Sequence, residues 1–172
     1  MQMEPKRSKP KEASLTPLLL SVFRLNDTLL TAGDRLVEDL GLTSSKWQLL
    51  GAVAEAPVPL TLASLARRRG LSRQGVRIVA KSLVLSGHLQ FIANPDHRNA
   101  QLAVLTAEGQ HTWLTIRGRQ VPWAMQIGEG ISDTRIMDAV ALLELVRSRL
   151  QNYERTITSS LKGFKNASGE PA

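Results

Sequence analysis

The sequence predicts a mainly α-helical fold with a small β-hairpin. Apolar residues recur at helical spacing along most of the 172-residue chain. Residues 88–105 instead have the pattern of two short strands on either side of a polar turn, Asn94 to Asn99. Hydrophobic residues make up 42% of the chain and aromatic residues only 4%, so aliphatic side chains must form most of the core.

The first two helices are bounded by their apolar spacing and by helix-ending residues. Leucines and valines at helical spacing predict one long helix over 15–40, which Gly41 can end. Ser44 or Ser45 can cap a second helix, and Pro57 lies beyond its end.

Two shorter helices and the hairpin occupy the middle of the chain. Thr61 caps a third helix that ends at Gly70, and a fourth helix follows from Ser72. The hairpin over 88–105 comes next. This order is that of a winged helix-turn-helix, whose second helix enters the DNA major groove. We therefore place such a unit at about 44–105.

Two further helices complete the predicted fold. Thr106 caps a fifth helix, and a sixth helix starts near Asp133. We expect residues 15–162 to form a single domain. The polar segments 1–14 and 163–172 have the composition of disordered tails, the first of them basic.

Almost all of the net positive charge is concentrated in 40 residues. Between Thr61 and Ala100 there are seven basic residues and one acid, which gives +6 of the chain's total of +7. The flanking segments 1–60 and 101–172 have net charges of 0 and +1. So local an excess is typical of a surface that binds nucleic acid.

The fourth helix carries side chains suited to reading base edges. Its outer face is predicted to present Ser72, Arg73, Gln74, Arg77 and Lys81. In the major groove, arginine can read guanine and glutamine can read adenine. Arg67 and Arg68, on the preceding helix, are suited to phosphate contacts, which position a protein without specifying sequence. If Ile78 is exposed it can meet a thymine methyl group; otherwise it packs under the hairpin.

Composition and motifs exclude several other classes. The chain has no cysteine, and its three histidines are scattered, so we expect no disulfide, no metal site and no cofactor. It has no glycine-rich phosphate loop, zinc-protease pair or nucleophile elbow, so we expect no enzyme. No signal peptide and no apolar stretch of about 20 residues is visible, so we expect a cytoplasmic protein that does not enter a membrane.

Several short segments resemble, in order, those of the MarR family of bacterial transcriptional regulators. They are Ser45-Lys46-Trp47-Gln48-Leu49-Leu50, Leu62-Ala63-Ser64-Leu65-Ala66, Gly70-Leu71-Ser72-Arg73-Gln74, Ser86-Gly87, Asn94-Pro95-Asp96-His97-Arg98 and Leu105-Thr106-Ala107-Glu108-Gly109. The resemblance covers roughly residues 15–160. It implies a homodimer in which the helices at about 15–40 and 106–162 form the dimerisation region. It also implies a repressor that binds an inverted repeat in double-stranded DNA and responds to a small, often aromatic or phenolic, effector.

The resemblance also implies further site residues. It adds Thr61 and the hairpin residues His97, Arg98 and Asn99 to the DNA-binding set. A ligand pocket is expected between the dimerisation helices and the DNA-binding lobe, with candidate lining residues Arg24, Trp47, Trp113 and Arg117.

Two positions depart from the family pattern. Many members have arginine where this chain has Ile78 and where it has Asn99; here Arg77 and Arg98 stand one position earlier in each case. The alternative function is therefore a winged-helix module that binds another protein, or that binds nucleic acid without sequence preference.

Overall fold

The computed structural model describes the backbone of residues 11–167 and the side chains of residues 15–158. A short 3₁₀ helix, Glu38–Leu40, follows the first α-helix. In chain order the other elements are α1 (Lys11–Val37), α2 (Ser44–Ala54), β1 (Leu60–Thr61), α3 (Leu62–Arg69), α4 (Arg73–Leu85), β2 (Leu89–Ile92), β3 (Leu102–Leu105), α5 (Ala107–Gly128) and α6 (Asp133–Ala167). The predicted class, mainly α with a small β-hairpin, is confirmed.

The helices extend further at both ends than the sequence predicts. Helix α1 begins at Lys11, within the segment 1–14 expected to be a tail, because Glu12 and Ala13 are good helix formers. Helix α6 continues to Ala167, past the expected boundary at 162. The rest of both expected tails lies outside the described residues.

The chain divides between Ala124 and Met125 into two compact units, whereas the sequence suggests one domain over 15–162. The first unit holds every element from α1 to β3 and most of α5. The second holds the end of α5 and α6. Within residues 11–167, no helix combines the length and apolar character that a membrane span requires.

The three strands form one antiparallel sheet in the order β1-β3-β2. Strands β2 and β3 are the predicted hairpin, with Leu89 opposite Leu105 and Ile92 opposite Leu102. Strand β1 is an addition to the prediction, since Thr61 also pairs with Leu102. The sheet therefore joins the base of the wing to the residue that starts α3.

The core of the first unit lies between the helix-turn-helix, the sheet and α5. Leu50, Leu65, Leu83, Leu89 and Ile116 are fully buried there. Each of these side chains contributes about 1.5–3 kcal/mol when it is removed from water. Because they come from α2, α3, α4, β2 and α5, the core fixes α4 relative to the wing.

Side-chain caps start α2, α3 and α4 at or beside the predicted residues. The Thr61 hydroxyl accepts a hydrogen bond from the Ser64 amide (3.2 Å), and the Ser72 hydroxyl accepts one from the Gly75 amide (3.0 Å). Helix α2 is instead capped by Thr43. The predicted cap Ser44 is buried, and its hydroxyl donates to the Leu30 carbonyl of α1 (2.8 Å).

The start of α5 lies against the base of the wing. Thr106 donates to the Gly87 carbonyl (2.6 Å) and accepts from the Gly109 amide (3.0 Å). A Cβ atom on Gly109 would overlap the carbonyl oxygen of His88, so glycine is required for this close approach. The contact holds α5 and β2 together.

An ion pair joins α5 to the segment that follows α1. Arg119 donates to both carboxylate oxygens of Asp39 (2.5 and 2.8 Å) and to the Leu36 carbonyl (3.0 Å). Hydrogen bonding to Arg119 holds the pKa of the Asp39 carboxyl below its usual range. Since bidentate arginine–carboxylate pairs are geometrically specific, this one fixes the orientation of the two segments.

Candidate nucleic-acid interface

A tight turn sets the angle between α3 and α4. Gly70 has φ = 65°, a left-handed conformation that favours glycine, and its amide hydrogen-bonds to carbonyls in the last turn of α3. The amide of Leu71 donates to the Ala66 carbonyl (2.9 Å). Ser72 then caps α4, so only three residues separate the two helices.

Helix α4 has one buried and one exposed face. Val76, Ala80 and Leu83 are buried in the core. The opposite stripe, at spacings of three and four residues, is exposed and consists of Gln74, Arg77, Ile78 and Lys81. Arg73, in the first turn, is also exposed. The residues that the sequence places on the outer face of this helix are therefore at the surface.

The basic side chains near α4 are free to bind an anion. Arg67 and Arg68 are exposed in the last turn of α3, and the Arg67 guanidinium donates to the Ser64 hydroxyl (3.1 Å). Among the residues whose side chains the structure describes, no arginine or lysine of α3 or α4 is paired with a carboxylate. Their charge is therefore not neutralised by any carboxylate in residues 15–158.

The tip of the wing presents His97, Arg98 and Asn99 to solvent. Local hydrogen bonds shape it: the Asn94 side chain accepts from the Asp96 amide (3.0 Å), and the Ala100 amide donates to the His97 carbonyl (3.1 Å). These contacts are typical of polar turns.

A groove of about 420 Å³ lies between α3, α4 and the wing. It brings together four residues of the predicted DNA-binding set, namely Thr61, Arg77, Lys81 and Asn99. Gln101, at the end of the wing, lines the same groove but was absent from the prediction. The Gln101 side chain has hydrogen-bonding groups, as does any surface glutamine. Only its position beside α4 marks it as a candidate, and the sequence does not reveal that position.

The other seven members of the predicted set do not line this groove. Arg67, Arg68, Ser72, Arg73 and Gln74 are on the helix-turn-helix, and all five are exposed. His97 and Arg98 are at the wing tip. All eleven residues of the set belong to the first unit.

The four candidate ligand-binding residues are not gathered around one cavity. Trp47 and Trp113 each retain only 9% exposure and belong to the core, where Trp47 meets Trp123 edge to face with ring centroids 6.2 Å apart. Arg24 and Arg117 are exposed. Of the four, Trp113 lines a cavity of about 390 Å³ beside the segment from Val53 to Pro59.

A different cavity, of about 310 Å³, adjoins the reading helix. Helices α1 and α2 form two of its walls, and the α3–α4 turn with the first turns of α4 forms the third. Its lining residues are Asn26, Leu30, Ser45, Gln48, Leu49, Leu71, Ser72, Gly75, Val76 and Val79. None of these side chains is charged, so its polar contacts would come from amides and hydroxyls. Within the described side chains, no three His, Asp or Glu residues lie close enough to hold a metal ion.

Comparisons with known proteins agree with this arrangement. A model of the MarR family matches residues 40–98, the region of the helix-turn-helix and the first strand of the wing. An uncharacterised protein of Mycobacterium tuberculosis is 35% identical over 136 residues, which cover 78% of this chain and 87% of that protein. The transcriptional activatory protein BadR of Rhodopseudomonas palustris is 26% identical over 140 residues, covering 80% of this chain and 79% of BadR.

Solved structures share the fold. The crystal structure of CouR from Rhodococcus jostii RHA1, bound to p-coumaroyl-CoA, aligns with a TM-score of 0.68 and 20% sequence identity. The alignment covers 81% of this chain and 96% of CouR.

Proposed function

Because this chain belongs to the MarR family of transcription regulators, we propose that it is a ligand-responsive repressor that binds a specific double-stranded DNA operator as a homodimer. The exposed stripe on α4 carries this proposal. Arg73, Gln74, Arg77 and Lys81 project from a helix that is capped at Ser72 and held by the core, and the three cationic side chains among them are not paired with a carboxylate within the described residues.

Helix α4 enters the major groove in this proposal. Its N-terminal residues Arg73 and Gln74 read base edges, since arginine pairs with guanine and glutamine with adenine there. Arg67, Arg68 and Lys81 contact phosphates. Thr61 at the start of α3, Arg77 and Lys81 of α4, and Asn99 of the wing line one groove, which supports a path for the DNA backbone between α4 and the wing.

The wing tip supplies the outermost contacts. His97 and Arg98 are exposed and lie at the end of the hairpin, so they reach the adjacent backbone or minor groove. Because much of the affinity would come from phosphate contacts, Kd should rise steeply with salt concentration.

Apolar surface on α1 supports a homodimer. Leu20, Phe23 and Leu25 are at least half exposed, and Phe23 has 71% of its surface in solvent. In the second unit, α6 also exposes large apolar residues, among them Met137 and Tyr153. Large exposed apolar surfaces of this kind are typically buried when protein chains associate. A two-fold dimer would place its two α4 helices in half-sites about one DNA turn apart, roughly 34–36 Å.

The cavity beside α4 is the proposed effector site. Since none of its lining residues is charged, it favours a small uncharged molecule, such as a neutral phenol, over a carboxylate that needs a cationic partner. Ser72 and Gly75 line it and also start the reading helix. A ligand that fits the cavity in only one position of α4 would shift the population of DNA-binding states.

Two arginine variants test the DNA-binding proposal. Replacing Arg73 by Ala should reduce the preference for operator over random duplex, because Arg73 is assigned to a base. Replacing Arg67 by Ala should weaken binding to both duplexes alike, because Arg67 is assigned to a phosphate. Competition binding with labelled operator measures both effects. Equal affinity of the wild-type protein for operator and random duplex would instead favour a non-specific nucleic-acid-binding module.

A reporter gene behind the selected operator tests repression. Expression should fall when the protein is produced and recover when a neutral phenol occupies the cavity. A rise in expression on production would identify an activator, as the name of BadR states for that relative. Gln48→Leu, which removes an amide from the cavity, should reduce the response to the phenol and leave DNA binding in its absence unchanged.

A further inference from the structure

Ile78 is an apolar side chain in the middle of a polar, basic surface. It is 62% exposed, and its neighbours on the same face of α4 are Gln74, Arg77 and Lys81. The apolar residues nearby belong to two other surfaces: Val76 and Ala80 lie in the core, and Val84 and Phe91 line the groove towards the wing. Ile78 belongs to neither set, so it does not pack under the hairpin.

The position of Ile78 along α4 matches that of the reading residues. It lies five residues after Arg73, the first residue of the helix, and a rise of about 1.5 Å per residue places it roughly 7.5 Å along the axis. It is next to Arg77 and one turn beyond Gln74. Any duplex that contacts these two side chains therefore also reaches Ile78.

The 5-methyl group of thymine is the most prominent apolar group on the base edges of the major groove. An isoleucine that is pressed against a hydrogen-bonding group of a base edge covers that group without replacing its partner, which is unfavourable. We infer that Ile78 is a specificity-determining residue that contacts the 5-methyl group of a thymine in each half-site. This inference rests on the proposed DNA binding through α4.

Uracil substitution tests the contact at the level of one methyl group. The probe is the duplex of highest affinity selected from random DNA, with each thymine of a half-site replaced in turn by deoxyuridine. This change removes the methyl group and leaves every hydrogen-bonding group of the base pair in place. For the wild-type protein, one position per half-site should weaken binding by about threefold to fourfold, the factor expected for burying one methyl group.

The Ile78→Ala variant identifies the side chain that makes the contact. It should bind the thymine duplex about as weakly as the wild-type protein binds a duplex with uracil at that position of both half-sites, because the variant loses the contact in both subunits. The uracil substitutions should cost the variant little further affinity. Its fold should be unchanged, because the replaced side chain is mostly in solvent and alanine favours helix. Thermal unfolding of the variant checks this point.

Leu85→Ala is the matched control. Leu85 is 79% exposed and lies two helical turns further along the same face, at the C-terminal end of α4. Its replacement should leave both the affinity and the uracil effect at wild-type values. An equal loss of DNA affinity in the Leu85→Ala and Ile78→Ala variants would overturn the inference, because the loss would then not depend on the position of Ile78.

The failures of the two proposals can be told apart. If no duplex is preferred over random DNA, the proposal of sequence-specific binding by α4 is wrong, and the proposed thymine contact is then wrong as well. If a duplex is strongly preferred but uracil has no effect at any position, or has the same effect on the Ile78→Ala variant as on the wild-type protein, only the role of Ile78 is overturned.

Discussion

Replacing Ser72 by Ala removes the side-chain acceptor that begins the reading helix. The Ser72 hydroxyl accepts from the Gly75 amide at 3.0 Å and is exposed to water. Loss of such a cap costs about 0.5–2 kcal/mol, typically about 1 kcal/mol. For a chain of 172 residues, 1 kcal/mol lowers the melting temperature by roughly 2–4 °C.

The change should also affect DNA binding, because Arg73 and Gln74 occupy the turn that the cap holds. When this turn frays, both side chains lose their fixed positions. We therefore expect the Ser72→Ala variant to show a lower preference for operator over random duplex. Ser72→Asn is the matched control, since asparagine is an equally good cap and adds no charge.

Thermal unfolding followed by circular dichroism, at one fixed protein concentration, measures the stability change. The concentration must be fixed because the stability of a dimer depends on it. Competition binding measures the change in preference. An unchanged melting temperature in the Ser72→Ala variant, or an equal loss in the Ser72→Asn variant, would refute the assigned role of the cap.

Three further changes test the framework around α4. Gly109→Ala places a methyl group against the His88 carbonyl and should destabilise the fold by about 1–3 kcal/mol in urea unfolding; an unchanged midpoint would contradict the close contact. Leu83→Ala should cost about 2–5 kcal/mol in the same assay, since Leu83 is fully buried, and a loss below 1 kcal/mol would contradict its place in the core. Because Arg119 lowers the pKa of Asp39, the pair stabilises the fold above the usual carboxyl pKa, and this contribution is lost as the pH falls through the lowered value. The Asp39→Asn variant should therefore be less stable than the wild-type protein at neutral pH and equally stable in strong acid, and a difference that is independent of pH would show that the ion pair is not its cause.

Helix starts could be predicted from the sequence where the cap is local. Thr61, Ser72 and Thr106 each accept from an amide three residues ahead, so the donor and the acceptor lie within one short segment. The start of α2 could not be assigned in this way. The predicted caps are Ser44 and Ser45, whereas Thr43 accepts from the Lys46 amide and the Ser44 hydroxyl donates to the Leu30 carbonyl of α1, fourteen residues away.

Features that depend on contacts between residues far apart in the chain could not be predicted from the sequence. Strand β1 has only two residues, and Thr61 pairs with Leu102 some forty positions later. Tryptophan and arginine are suitable types for a ligand pocket, but the types alone do not reveal that Trp47 and Trp113 are in the core. The cavity beside α4 depends on how α1, α2 and α4 pack, and its lining includes none of the four candidate ligand residues.

The outer face of α4 was accessible to prediction because helical periodicity separates it from the buried face. Val76 and Ala80 had to be internal once the helix was bounded at Ser72, and the charged positions followed. The exposure of Ile78 could not be deduced from periodicity, since an isoleucine at a boundary position either packs against the wing or remains in solvent. The position of the hairpin decides this.

The central proposal is tested most directly by selecting bound duplexes from random DNA. The equilibrium affinities for the selected duplex and for a random duplex are then measured at the same salt concentration. We expect an inverted repeat whose half-site centres are about 10–10.5 base pairs apart, bound at least about 10³-fold more tightly than the random duplex. Failure to enrich any symmetric site, together with equal affinity for the two duplexes, would contradict sequence-specific binding by a dimer of this protein.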